Sequence, residues 1–120
     1  MEISTRFCWS TARHQRADSQ VSTRSGRPQE RLAATAYLNV IPNLTRSASP
    51  YAVIENVVVD EPLRRTGVGK QIIGATLQAA WNAGCYKAML LTGSQHASTH
   101  AFYRACGFTA DEKTAYVARP

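Results

Sequence analysis

Residues 51–71 carry the feature that most limits what this chain can fold into. A β-branched run, Tyr51-Ala52-Val53-Ile54-Glu55-Asn56-Val57-Val58-Val59-Asp60, stops at Pro62 and leads into Arg64-Arg65-Thr66-Gly67-Val68-Gly69-Lys70. Such β-branched density suits a central strand buried on both faces. Gly67 and Gly69 then open a helix expected to run to about Ala83, with Val68, Ile72, Ala75 and Ala79 and the neighbours Ile73 and Ala80 on one broad apolar face. Gly84 is its natural terminator. A strand, a glycine turn and a helix in that order form anion-binding architecture. The first N–H groups of a helix have no intrahelical acceptors and the helix dipole is positive there. Glycines let a ligand reach the backbone, and Arg64, Arg65 and Lys70 add charge. Glu55 and Asn56 interrupt the apolar run, and a carboxylate in a buried strand is costly unless something pairs or uses it.

The rest of the pattern extends this unit. Leu32–Ile41 reads as a strand, 42–50 as a turn-rich loop between two prolines, Tyr86–Thr92 as a second buried strand and 97–106 as a short helix ending at Gly107. Phe108 onward reads as strand, with Tyr116-Val117 closing a final hairpin. Together these define an α/β domain over residues 30–120, with at least one right-handed parallel crossover between residues 51 and 92. A length of 120 residues fits one domain. Residues 1–29 have no apolar period and read as a poorly ordered basic segment. Their arginine and serine content resembles a transit peptide, but the apolar face of Ile3, Phe7, Trp9 and Val21 is weak.

Charge and cysteines narrow the partners. The net charge of +6 favours an anionic ligand. Half of that excess comes from Arg6, Arg13, Arg16, Arg24 and Arg27 against Glu2 and Asp18, and no aromatic–basic interleaving follows, so nucleic acid is not expected. No apolar run approaches the roughly 18 residues of a membrane span. Cys8, Cys85 and Cys106 are odd in number and contain no C-x-x-C pair, which suits a reducing, cytoplasmic setting.

Three phosphate loops compete for residues 64–70. The P-loop pattern fails because position 64 is Arg and position 71 is Gln. The dinucleotide fingerprint fails because its third glycine place is Ile72. What remains, Arg64-x-x-Gly67-x-Gly69, resembles the Q/R-x-x-G-x-G/A motif of the GNAT superfamily of acetyl-CoA-dependent N-acetyltransferases. Val57-Val58-Val59-Asp60 is similar to the family's splayed central strand, and Ala101-Phe102-Tyr103-Arg104-Ala105-Cys106-Gly107-Phe108 to its later helix motif. The resemblance covers about residues 31–120. Ile54–Val59, Gly84-Cys85-Tyr86-Lys87 and Phe102-Tyr103 with Cys106-Gly107-Phe108 are further similar to the glucosamine-6-phosphate N-acetyltransferase branch. That branch commonly has Asp where this chain has Asn56, and a shorter segment between Lys87 and Tyr103.

The resemblance implies a mixed, mainly antiparallel sheet with a parallel, splayed central pair and flanking helices. It also implies a strand and two helices at the start, which the first thirty residues do not look like, so the fold is expected to be N-terminally truncated. Acetyl-CoA is the implied cosubstrate, with no metal. Arg64, Arg65, Thr66, Gly67, Val68, Gly69 and Lys70 would hold its pyrophosphate, and the backbone of Val57, Val58 and Val59 would pair with its pantetheine arm. Tyr103 would protonate the departing thiolate. Glu55 is the candidate general base, directly or through a water. The partner is a small-molecule amine, and a second subunit completing the acceptor pocket would make a homodimer.

Plainer readings stand beside these. Tyr103 also fits a core aromatic, and Glu55 a structural carboxylate paired with an arginine. Lys87 and Arg119 reach a substrate phosphate by resemblance, but a strand-end lysine and a terminal arginine are normally solvated. His96 and His100 have metal-ligand spacing without the glutamate of H-E-x-x-H. Cys85 and Cys106 flank glycines as packing residues. A protein that binds CoA without turnover is the rival function.

Overall fold

A computed structural model describes residues 6–11, 17–24 and 32–120. Two compact units divide the chain, one ending at Leu90 and the other comprising Leu91–Pro120. The first unit is built on a five-stranded sheet in the order β1-β2-β3-β4-β5. Its strands are β1 (Arg6–Thr11), β2 (Ala17–Arg24), β3 (Leu32–Ile41), β4 (Tyr51–Val59) and β5 (Ala88–Leu90). The pairs from β1 to β4 are antiparallel, and β4 and β5 are parallel.

The crossover from β4 to β5 is α2 (Val68–Asn82), as the strand–glycine–helix pattern requires. Its buried face is Val68, Ile72, Ile73, Thr76, Ala79 and Ala80, which packs on β3 and β4. Thr76 stands where Ala75 was expected; its hydroxyl donates to the Ile72 carbonyl at 2.7 Å, so burial leaves no orphaned polar group. The buried face of β3 and β4 carries small residues, Ala34, Ala36 and Ala52, with Leu38 and Ile54 filling the remaining depth. Small side chains on the sheet let the branched helix residues approach closely.

The chain leaves α2 through a left-handed glycine. Gly84 has φ 82°, its N–H reaches the Trp81 carbonyl at 3.0 Å, and the Cys85 N–H reaches Ala80 at 3.1 Å. This is the paired closing pattern that satisfies the last helical carbonyls. In the second unit, α3 (Ala97–Ala105) ends the same way, with Gly107 at φ 94° donating to Arg104 and Phe108 to Tyr103. Between β3 and β4, α1 (Thr45–Ala48) is one turn whose Arg46, Ser47 and Ala48 have left-handed φ of 56°, 57° and 59°. The Asn43 amide braces it, donating to Thr45 and Ser49.

Several sequence expectations are corrected. The two-sided burial expected of β4 is not found: Ala52 and Ile54 are buried on one face, Tyr51 and Val53 on the other are half-buried, and Glu55, Asn56 and Val58 are exposed. The strand expected over Tyr86–Thr92 shrinks to three half-buried residues, because β4 stops pairing with it at Ile54. No strand forms after Phe108, and the hairpin at Tyr116-Val117 is absent; these side chains are 94% and 70% exposed. Strand propensity needs a partner and a burying face, and two apolar residues after the charged run Asp111-Glu112-Lys113 supply neither. The expectation of a poorly ordered segment over 1–29 lies partly outside the described residues. Within them, β2 pairs with β3 from Ala17↔Val40 to Arg24↔Leu32, a backbone ladder that apolar alternation does not announce.

Candidate acetyl-CoA site

The site begins with an irregularity in β4. Tyr37 faces Glu55 and Thr35 faces Val58, so two residues of β4, Asn56 and Val57, stand opposite Ala36 alone. Asn56 takes φ 51°, which asparagine tolerates better than a branched residue. A bulge of this kind bends a strand and ends its pairing. Here the parallel ladder with β5 ends at Ile54↔Leu90, while β4 continues to Val59 with β3 on one side only. Val57, Val58 and Val59 therefore carry backbone on an edge that β5 does not cover.

That edge runs directly into the glycine loop. Residues Glu61–Leu63 make a 3-10 turn with Pro62 inside it. Arg64 turns back, and its Nε donates to the Val59 carbonyl at 3.4 Å. Thr66 closes the turn by donating its hydroxyl to the Leu63 carbonyl. Arg65 and Gly67 both have left-handed φ, 64° and 89°, the kind of backbone in which successive N–H groups form an anion-binding concavity. The first intrahelical donor is Gln71, whose N–H reaches the Gly67 carbonyl at 3.1 Å. The N–H groups of Val68, Gly69 and Lys70 precede it and are those a helix leaves without intrahelical acceptors. Buried Val68 anchors the turn, and Arg64, Arg65, Thr66 and Lys70 are exposed. No acidic residue sits in the first turn of α2. Arg64, Arg65 and Lys70 thus add positive charge at the positive end of the helix.

Glu55 lies just before the bulge, exposed. Its Oε2 accepts from Asn39 Nδ2 at 3.3 Å, and the same nitrogen donates to the Val53 carbonyl at 3.3 Å. Among the described residues the carboxylate is thus held by an amide of β3, where the plainer reading expected an arginine. Asn39 was missed in the sequence, although it breaks the apolar run of β3 as Glu55 breaks that of β4.

Tyr103 belongs to the second unit, on the half-buried face of α3 with Thr99, His100, Phe102 and Cys106. Its ring meets Phe102 at 5.2 Å and Phe108 edge-on at 6.1 Å. Burial, and secondarily the Cys106 sulfur, raise the phenol above its ordinary value of 10.0. His100 donates from Nε2 to the Ser94 carbonyl at 2.9 Å. No group of metal-ligating side chains forms among the described residues, and no helix among them is long and apolar enough to cross a membrane. Cys85 is buried, which pushes its thiol up. Lys87 lies 5.4 Å from the rings of both Tyr51 and Tyr86, with Arg46 5.3 Å from Tyr86. Arg119 is exposed, outside any regular element.

The chain is similar to known proteins over most of its length. The model of the Acetyltransferase (GNAT) family matches residues 4–108. The glucosamine 6-phosphate N-acetyltransferase of Trypanosoma brucei brucei is 34% identical over 86 residues, 72% of this chain and 56% of that protein. An Agrobacterium tumefaciens str. C58 protein described as an acetyltransferase superposes with a TM-score of 0.73 at 42% identity, over 84% of this chain and 69% of that one. A Trypanosoma brucei acetyltransferase structure gives a TM-score of 0.71 at 28% identity, over 85% and 69%. The chain spans about half the length of the curated relatives it matches, 56% and 47%.

Proposed function

Because this chain belongs to the acetyltransferase (GNAT) family, we propose that it moves an acetyl group from acetyl-CoA to a primary amine of a small molecule, by direct attack in a ternary complex. The observation that carries this reading is continuity. One uncovered strand edge, Val57–Val59, runs into one positively charged helix start, Arg64–Lys70. An extended pantetheine arm ending in a pyrophosphate has that order of chemistry: amides to pair with a strand, then phosphates for a helix terminus.

In the proposed reaction Glu55 takes a proton from the ammonium, directly or through a water. The freed lone pair attacks the thioester carbonyl carbon, and a backbone N–H of Val57–Val59 stabilises the oxyanion. The C–S bond then breaks, and Tyr103 gives its phenolic proton to the thiolate. A phenol held protonated by burial suits a donor to a leaving thiolate. The matched relative from Trypanosoma acts on glucosamine 6-phosphate. A phosphorylated amino sugar is accordingly the first acceptor to test, with Lys87 and Arg119 as residues that would meet its phosphate. A homodimer would supply acceptor-side residues from a second copy. The cysteine pattern favours a reducing, cytoplasmic setting.

A second reading, CoA binding without turnover, draws on the share of the curated relatives that the chain spans. Calorimetry with CoA, run beside a thiol-release assay with glucosamine 6-phosphate, sisomicin and spermidine, separates the two. Binding with turnover supports the transferase, and binding alone supports the second reading. Unchanged CoA affinity in a Gly67→Val variant would remove the loop assignment.

A further inference from the structure

We infer that Asn39 is the positioning residue for Glu55, holding one carboxylate oxygen so that the other faces the amine to be deprotonated. The inference rests on the proposed role of Glu55 as base.

The geometry is local to two strands. Asn39 faces Val53 in the β3–β4 register, and Tyr37 faces Glu55 two residues along. Val53 and Glu55 therefore share a face of β4, and the Asn39 side chain reaches both from the neighbouring strand. Its Nδ2 donates to the Val53 carbonyl and to Glu55 Oε2, each at 3.3 Å. A carbonyl and an ionised carboxylate can only accept, so the amide must present nitrogen rather than oxygen to them. The bond to Val53 backbone fixes the amide plane, and the amide in turn fixes Oε2. Oε2 keeps one lone pair and Oε1 keeps both, and Oε1 is left to take a proton.

An exposed glutamate needs such a restraint to act as a base. It has three rotatable side-chain bonds, and at an exposed position they sample many rotamers. Proton abstraction requires the oxygen within hydrogen-bond reach of the ammonium or of one bridging water. Asn39 is half-buried, so its own rotamer is constrained by β3. Glu55 precedes the bulge at Asn56, where the backbone is held by an irregular ladder. A cross-strand amide is then the part of the structure that sets the direction of the carboxylate.

The experiment measures kcat, KM and the pH profile of the full chain, with acetyl-CoA and whichever of glucosamine 6-phosphate, sisomicin and spermidine turns over fastest. Glu55→Gln is the reference and is expected to lose about 10²-fold or more in kcat. Asn39→Ala is expected to lose about 10-fold in kcat with KM for acetyl-CoA unchanged. Asn39→Asp keeps the shape but sets a second carboxylate against Oε2, so it loses more and moves the acid limb of the profile to higher pH. Asn39→Ser retains a donor, recovers part of the rate, and serves in place of Asn39→Ala should that variant fail to fold. On a Glu55→Gln background the Asn39 changes have no further effect. Wild-type kcat and pH profile in the Asn39 variants, beside a crippled Glu55→Gln, would overturn the inference alone. Full activity in Glu55→Gln would remove the base assignment and the inference with it. Absence of turnover with all three amines would overturn the transferase reading itself.

Discussion

Ile54 pairs with Leu90 across the parallel ladder and is the last residue of β4 to do so. Beyond it, among the described residues, β4 pairs with β3 alone, which leaves the edge that the proposed function assigns to the pantetheine arm. Hydrogen exchange with and without CoA should therefore show new protection at Val57–Val59 and at Val68–Lys70. Amides of Ala52–Ile54, already in the ladder, should change little. Protection confined to other segments would remove this strand and loop from the CoA site.

Gly67 at φ 89° sets up a second expectation. A Cβ there would meet nothing within 4 Å, so the penalty for Gly67→Ala comes from backbone conformation rather than a clash. It should destabilise the fold by about 1–2 kcal/mol in urea melts and weaken CoA binding by calorimetry. Destabilisation without any change in affinity would separate the turn from the ligand.

Tyr103→Phe should lower kcat by about 10²-fold with little change in thermal midpoint, since the ring contacts with Phe102 and Phe108 remain. The wild-type rate should fall only as pH rises through a value above the ordinary 10.0 of a tyrosine, because a raised phenol keeps its proton longer. The variant should lack that limb. An unchanged kcat would return Tyr103 to the role of a core aromatic.

Cys85 predicts an alkaline loss of stability. Burial raises its thiol above 9.0, so the folded protein favours the protonated form. Below pH 9 its contribution is fully present. As pH climbs from there through the raised value, the unfolded chain ionises first and stability falls. Cys85→Ala should flatten that slope in thermal melts at pH 8 to 10. An equal slope in both proteins would assign it to other groups.

Two neighbours inside α2 should behave in opposite ways. Ile72 is 0% exposed, and Ile72→Ala should cost about 2–5 kcal/mol. Thr76 is equally buried but bonds only to its own helix, so Thr76→Val should be near neutral. Chemical denaturation of the two variants checks both.

Much of this was legible in the residues because it is local. The apolar periodicity of β3 and α2, the glycines at 84 and 107 and the glycine–arginine spacing of the loop each encode their own geometry over a few positions. Tyr116-Val117 misled because a strand is a property of two segments, and no second segment meets it. Asn39 escaped notice for the same reason: its partners lie 14 and 16 positions away, and only the β3–β4 register brings them together. The left-handed Arg46, Ser47 and Ala48 carry no glycine to mark them.

The extra residue at Asn56 acts on β4 as a half-period slip acts on a wave. Before it, alternation is locked to the helix-covered face through Ala52 and Ile54; after it, the parity is reset, and Val58 faces solvent instead of the core. The two ends of one strand are thereby out of phase. In the proposed reading, Glu55 and the amides of Val57–Val59 lie on either side of this slip, and a single-residue deletion at position 56 would remove the bulge that parts them while leaving Val58 on the outward face.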